Sequence, residues 1–251
     1  RSLVGSEMCI RDRYGIVYHD KPPYEVMSTK WLSFDDVIKI KRVEEMLEVY
    51  YNSGQFEITM KLMECIFDSA FEFFQELGDF YEANGYFGMS HSRIRRCEIL
   101  LEFLALYLHG CDSDDMASVG LSGNAGDRDN TDFDENAGDR DNTDFDENAQ
   151  IYSMIQESLI FDLYYRENCK SRPVWATDIG SFKHMTHAYC KNGKLSHVEP
   201  FHYIFPDKHT RKLDELPKYH KEPVWALFHY DMRDPLDHQA LVEYVESVSY
   251  T

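Results

Sequence analysis

LIFDLYYRENCKSRPVWA, residues 159–176, is where the chain changes its period. Just upstream, Ile155, Leu159 and Leu163 recur every four residues and Arg166 follows three further on, so residues 151–167 read as a helix. At Arg172-Pro173 that helix has to stop, because the residue before a proline is pushed out of helical geometry. Beyond Pro173, aromatic and β-branched runs at 197–205 and 223–230 read as strands, separated by a basic, proline-containing connection. Residues 236–245 are expected to add a final short helix. The second half is therefore α+β, with a small antiparallel sheet.

Working back toward the N-terminus, the period is helical. Ser33 followed by Asp36 makes a capping-box start for a helix over 34–51, with Phe34, Val37, Ile38, Met46, Leu47 and Tyr50 as its apolar face. Asn52-Ser53-Gly54 stop it. Further helices are expected over 57–66, over 69–84 with Phe71, Phe74, Leu77 and Tyr81 at the 3–4 spacing, and over 92–109 with Ile94, Cys97, Leu101, Leu104 and Leu108 on one side. Short turns join the four, which are expected to form one helical unit over 32–110. Ahead of them YGIVY (14–18) reads as a strand, Pro22-Pro23 break the chain, and 24–27 is a second extended piece.

Between the halves the composition changes. The chain of 251 residues carries Lys+Arg 26 against Asp+Glu 45, a formal charge of −19, yet 112–147 alone hold 13 acids and 2 bases. NAGDRDNTDFDE at 124–135 repeats without alteration at 136–147. A twelve-residue unit this short and this polar buries no face, so a solenoid is excluded. A calcium loop counted from Asp127 meets Asp132 where glycine is needed and Gly138 where glutamate is needed. Residues 111–148 are expected to be a disordered, solvated linker, with the C-terminal α+β domain over 149–246. At the ends, 1–13 (RSLVGSEMCIRDR) resemble a translated sequencing-adapter read of the kind found in metagenome-derived sequences, and 247–251 resemble the start of another. Both are set aside, and with a first residue that is not Met the chain is expected to be a piece of something longer.

Composition narrows the function classes. With 43% apolar and 14% aromatic residues a substantial core is available, and the acidity makes nucleic acid an unexpected partner. Cys65, Cys97, Cys111, Cys169 and Cys190 lie at least 14 residues apart, so no C-x-x-C pair exists and reduced, cytoplasmic thiols are expected. The most apolar run, 99–108, is short and contains Glu102, so no membrane span is expected.

Three clusters have chemical character. His184-x-x-His187 has zinc-fragment spacing but no H-E-x-x-H context, and His197 and His202 are an odd number apart and would face opposite sides of a strand. Arg93, Arg95 and Arg96 crowd the first turn of a helix, the wrong end for cations, so either Glu98 and Glu102 neutralise them or they receive an anion. Asp162, Tyr164, Arg166, Asn168 and Arg172 gather where the 151–167 helix ends. An Asp162–Arg166 ion pair is the simplest account, and a pocket lining the sharper one. Asp162 can act with Arg166, or Tyr164 with Asn168, but the two pairs lie on different faces. These eight residues are pocket or anion candidates, and no catalytic, cofactor-binding or metal-ligating residue is assigned.

Four phrases carry a family resemblance: PPYEVMSTKWLSFDDVIKIKRVEEMLEVYYNSGQF (22–56), GYFGMSHSRIRRCEILLEF (85–103), LIFDLYYRENCKSRPVWA (159–176) and PVWALFHYDMRDPLDHQALV (223–242). In this order they resemble the C-terminal part of cobalamin-binding-domain-containing radical SAM proteins, which closes in a domain of unknown function. The resemblance implies a parent enzyme with an iron–sulfur cluster, S-adenosylmethionine and cobalamin, and makes residues 14–31 the tail strands of its barrel. The C-x-x-x-C-x-x-C triplet that holds the cluster is not in this sequence, so the chain is expected to bind none of these cofactors itself. The partners implied are the missing N-terminal domains and an unknown substrate. A non-catalytic protein-interaction module is the alternative.

Overall fold

The computed structural model describes residues 10–108, 142–177, 179–180, 196–206, 210 and 213–245, with backbone only at 142–146. In chain order the elements are β1 (Val17–Tyr18), β2 (Val26–Ser28), α1 (Phe34–Met46) running on as a π-helix over Leu47–Asn52, α2 (Glu57–Ile66), α3 (Ala70–Ala83), α4 (Arg93–Leu108), α5 (Asn142–Arg166), β3 (Ser196–Tyr203), β4 (Tyr219–His229) and β5 (Leu241–Val245). The architecture is mixed helix and sheet, with two small antiparallel sheets.

The chain divides into two compact units, Arg1–Gly54 with Phe67–Phe87, and Gln55–Ile66 with Gly88–Thr251. This differs from the expected grouping of four helices over 32–110, because α2 and α4 belong with α5 and the larger sheet. Their spacing was read correctly, but spacing says only that a face is apolar and not which partner covers it.

In the first unit, residues 10–14 are helical, so the strand expected at 14–18 shrinks to a two-residue β1 paired with β2. The capping box at Ser33 is formed: Ser33 Oγ accepts the Asp36 N–H at 3.2 Å, and Asp36 Oδ2 accepts the Ser33 N–H at 3.0 Å. The helical run ends at Gly54, whose φ of +60° an L side chain resists. α1 and α3 pack on each other, Val43, Met46, Phe73, Phe74, Leu77 and Tyr81 are buried, and the Tyr50 and Tyr81 hydroxyls meet at 2.7 Å in the interior. Phe34 and Phe71, both expected on buried faces, are about half exposed. Gly78 lets the two helices close, since a Cβ there would lie 3.3 Å from the Arg42 Cβ. Arg42 in turn reaches Asp79 at 3.4 Å and Glu82 at 3.1 Å.

In the second unit the three-stranded sheet has the order β3-β4-β5, antiparallel throughout, with Val198 opposite Leu227 and Trp225 opposite Val245. β5 replaces the helix expected over 236–245. Leu241-Val242-Glu243-Tyr244-Val245 is β-branched and aromatic, and β4 offers it an open edge. Among the described residues β3 is an edge strand, which accommodates Pro200 within it. α5 packs against α2, α4 and β3, so almost every residue from Met154 to Tyr165 is buried. It begins at Asn142, inside the segment expected to be linker; acids near a helix start suit the positive end of its dipole. The rest of that expectation, with the first repeat copy, lies outside the described residues.

The α1–α3 contact gives a direct test. Gly78→Leu is expected to cost about 1–3 kcal/mol by overpacking. Gly78→Ala, where about 0.5–1 kcal/mol of helix propensity offsets a tight contact, is expected to fall within about 1 kcal/mol of neutral. Urea unfolding of the two variants measures this.

Candidate functional site

A helix covered on all sides cannot leave a polar group unmatched, since an unpaired buried donor or acceptor costs about 1–3 kcal/mol. α5 meets this constraint in three places along its length.

The first is Asp162, which is 2% exposed. Its carboxylate accepts the backbone N–H groups of Ile58 at 3.0 Å and Thr59 at 2.9 Å, and the Thr59 hydroxyl at 2.7 Å. It therefore caps the N-terminus of α2 from more than 100 residues away, where orphan donors and the helix dipole favour a negative charge. The Ser158 hydroxyl lies 2.9 Å from that of Thr59. Burial pushes the Asp162 carboxyl up to about 6, against the lowering by these donors and by Arg93. At neutral pH it remains a carboxylate.

The second is Glu157, also 2% exposed. The β3–β4 register slips between Phe201 and Tyr203, and Glu157 Oε2 accepts the His202 N–H at 2.8 Å beside that slip. Burial pushes Glu157 up to about 7, opposed by the His202 N–H and then the His202 charge.

The third is the C-terminus of α5, whose last carbonyls are taken up by other elements. The Tyr230 hydroxyl donates to the Tyr164 carbonyl at 2.8 Å, the Ala240 N–H to that of Tyr165 at 2.8 Å, and Arg233 Nη1 to that of Arg166 at 2.6 Å. Arg93 donates to the Asp162 carbonyl and pairs with Glu167 at 3.5 Å. Two guanidinium groups thus sit at the negative end of the α5 dipole.

Against this frame of capped ends stands a second cluster. Glu199 on β3, 1% exposed, is paired with Arg172, receives His197 Nε2 at 2.8 Å, and is bonded by the Tyr164 hydroxyl. Arg172 also donates to the Thr177 carbonyl at 2.8 Å. The His197 ring lies flat on Tyr164, centroids 3.8 Å apart and 17° from parallel. Burial, then the charge of Glu199, pushes the Tyr164 phenol upward, so it stays protonated. With the Glu199 carboxylate fixing Nε2 as the N–H position, His197 Nδ1 is left as the basic nitrogen, and no described residue bonds it. Chemically this is an oriented imidazole able to take or give a proton at Nδ1.

The eight candidates from sequence therefore part company. Tyr164 and Arg172 enter the His197–Glu199 cluster, while Asp162 and Arg93 serve helix ends. The Asp162 carboxylate is committed to α2, so the expected Asp162–Arg166 ion pair is not its role; Arg166 contributes its carbonyl. Asp162 and Tyr164 are both buried, on different sides of the helix, while Arg166 is half-buried and Asn168 exposed, so neither i, i+4 pair enters the interior as a pair. Arg95 pairs with Glu98 at 3.1 Å and Glu102 at 2.7 Å, the neutralised alternative. Arg96 is half-buried and Asn168 exposed. His197 and Glu199 were missed as a pair, although an i, i+2 spacing on a strand places them on one face. His184 and His187 lie outside the described residues. Among the described residues no group of three His, Cys, Asp or Glu is placed to hold a metal, and no helix is long and apolar enough to cross a membrane.

Fold and cluster define an α+β protein of two units, the second of them built round a buried helix with a histidine–carboxylate–arginine site at its end. Residues 12–241 match the family described as protein of unknown function (DUF4080), and the chain belongs to that family. No curated protein and no solved structure matches it.

Asp162→Ala is expected to cost about 3–5 kcal/mol, because it strands two buried N–H groups that bonded a charged acceptor. Arg166→Ala is expected to cost about 1 kcal/mol or less, its backbone carbonyl being retained. A pH series adds an independent check. Asp162 and Glu157 titrate higher folded than unfolded, so between about pH 4 and 7 the native state holds more protons and stability falls as pH rises. Glu157→Gln is expected to remove about 2–4 kcal/mol of that fall, measured by urea midpoints from pH 4 to 8.

Proposed function

We propose that this chain is the C-terminal accessory region of a cobalamin-dependent radical SAM enzyme, cytoplasmic and of unknown substrate. In this reading it docks on the barrel of the same polypeptide. The observation that carries it is a run of exposed apolar side chains over residues 17–34, in and just after the segment read as the barrel's tail. Val17, Tyr18, Tyr24, Trp31, Leu32 and Phe34 are all exposed, Trp31 by 68% and Tyr24 by 61%. Singly such residues need no explanation, but with Val26 they number seven within 18 positions, a concentration of the kind that marks an interface. Val26 and Phe34 also line a cleft of about 270 Å³ between the β1–β2 ribbon and α1, a shape into which a partner's side chain fits.

The iron–sulfur cluster does not fit the described residues. Burial pushes the Cys97 thiol up to about 12, and burial and Glu167 push Cys169 upward. Cys65 donates to the carbonyls of Lys61 and Leu213. Cys97 and Cys169 are not ready thiolates, and no three His, Cys, Asp or Glu among the described residues converge, so no step through the cluster, S-adenosylmethionine or cobalamin is assigned to these residues. The reading places that chemistry upstream and gives this chain the tasks of covering and positioning.

The same patch would serve a non-catalytic interaction module, and one experiment separates the two. The 251-residue chain and a chain extended upstream through the parent gene are reconstituted anaerobically with iron and sulfide. The extended chain is expected to take up near-stoichiometric iron, and residues 17–34 are expected to gain hydrogen-exchange protection in it. An upstream sequence without C-x-x-x-C-x-x-C, or residues 17–34 that stay unprotected, would overturn the proposal.

A further inference from the structure

The His197 ring is fixed more firmly than packing alone requires. Its Nε2 gives a proton to Glu199 Oε1 at 2.8 Å, and one face lies flat on the buried Tyr164. Phe228, fully buried on β4, is its cross-strand partner, with ring centres 6.4 Å apart. The carboxylate settles the tautomer, and the stack settles the plane of the ring. Glu199 is fixed in turn. Arg172 pairs with it and is itself anchored on the Thr177 carbonyl at 2.8 Å and the Thr177 hydroxyl at 3.3 Å, while the Tyr164 hydroxyl adds a further donor.

Nδ1 stands apart from this network. No described residue bonds it, and it is not among the buried side-chain nitrogens and oxygens that lack a partner, so it is open to solvent. The side chain as a whole is 22% exposed. Since Arg172 already offsets the charge of Glu199, an amide N–H at position 197 would serve as well if a donor were all the fold needed. A base that is oriented by a carboxylate at one nitrogen and open at the other is the arrangement by which histidine moves protons.

We infer that His197 is a proton-transfer residue that takes, at Nδ1, the proton of a small uncharged weak acid. The X–H bond of that acid breaks, its electron pair stays on X, and an N–H bond forms at Nδ1. The ring returns to its neutral form by giving the proton to the product or to water. A substrate without charge suits a cluster whose carboxylate and guanidinium offset each other. The inference is independent of the proposed function, since it concerns neither the upstream cofactors nor the exposed side chains at 17–34.

Nitrobenzisoxazole, an uncharged carbon acid, is the probe. A base takes its ring C–H proton, the electron pair forms a nitrile, and the N–O bond breaks to give a coloured cyanonitrophenolate. The full 251-residue chain is assayed at neutral pH. His197→Gln, which keeps an N–H for Glu199 and removes the base, is expected to lower the protein-catalysed rate at least tenfold. His202→Gln is expected to leave the rate unchanged, because that ring is held by the His220 carbonyl and stacked on Tyr219, away from Glu199. Two measurements need no variant. Long-range proton–nitrogen NMR is expected to place the proton of the neutral His197 ring on Nε2. Diethyl pyrocarbonate is expected to remove the rate in step with ethoxycarbonylation of His197, read by peptide mass spectrometry. A rate that survives His197→Gln or full modification of His197, equal losses in the two variants, or a neutral ring protonated at Nδ1 would each overturn the inference.

Discussion

α5 is enclosed by helices on one side and by the sheet on another, and the rest of the second unit is arranged to make that enclosure tolerable. Packing an apolar helix inside protein is favourable through the area removed from water, but each carboxylate and carbonyl that goes in with it needs a partner. The partners come from far away in sequence. Ile58 and Thr59 supply donors to Asp162, the irregular stretch of β3 supplies one to Glu157, and Tyr230, Arg233 and Ala240 supply them to the terminal carbonyls. Each contact ties a different segment to the same helix, so the unit's topology and its hydrogen bonding are one problem with one solution.

This explains a feature that is awkward on local grounds. Arg93 begins α4, where the helix's own dipole disfavours a cation. Its head group lies at the C-terminal end of α5 instead, against the Asp162 carbonyl and Glu167. The unfavourable dipole at one helix is set against a favourable one at another, and the arginine needs no external anion. Arg95 is answered locally by Glu98 and Glu102.

Beside the end of α5 the polarity exceeds what capping requires. The His197–Glu199–Arg172–Tyr164 cluster contains an imidazole with one nitrogen held and one available, beyond any need of the helix ends. The cluster lies in the second unit, whereas the exposed aromatic side chains at 17–34 belong to the first.

The sequence by itself determined the elements wherever the signal is local. The Ser33–Asp36 capping box, the Gly54 stop, the spans of α2, α3 and α4 and the strands on either side of the basic connection follow from period and capping, which involve neighbours in the chain. It also marked the end of α5 as a dense polar cluster and supplied Tyr164 and Arg172. What it could not determine is which face meets what. Residues 241–245 form a strand because β4 presents an unpaired edge, and α2 and α4 leave the helical series because Asp162 and Arg93 bind them to α5. Glu199 is the clearest case: on a strand it reads as an ordinary outward acid, and only the arrival of Arg172 from one segment and Tyr164 from another makes its burial bearable. Pairings across many residues depend on long-range geometry, and no window along the chain contains them.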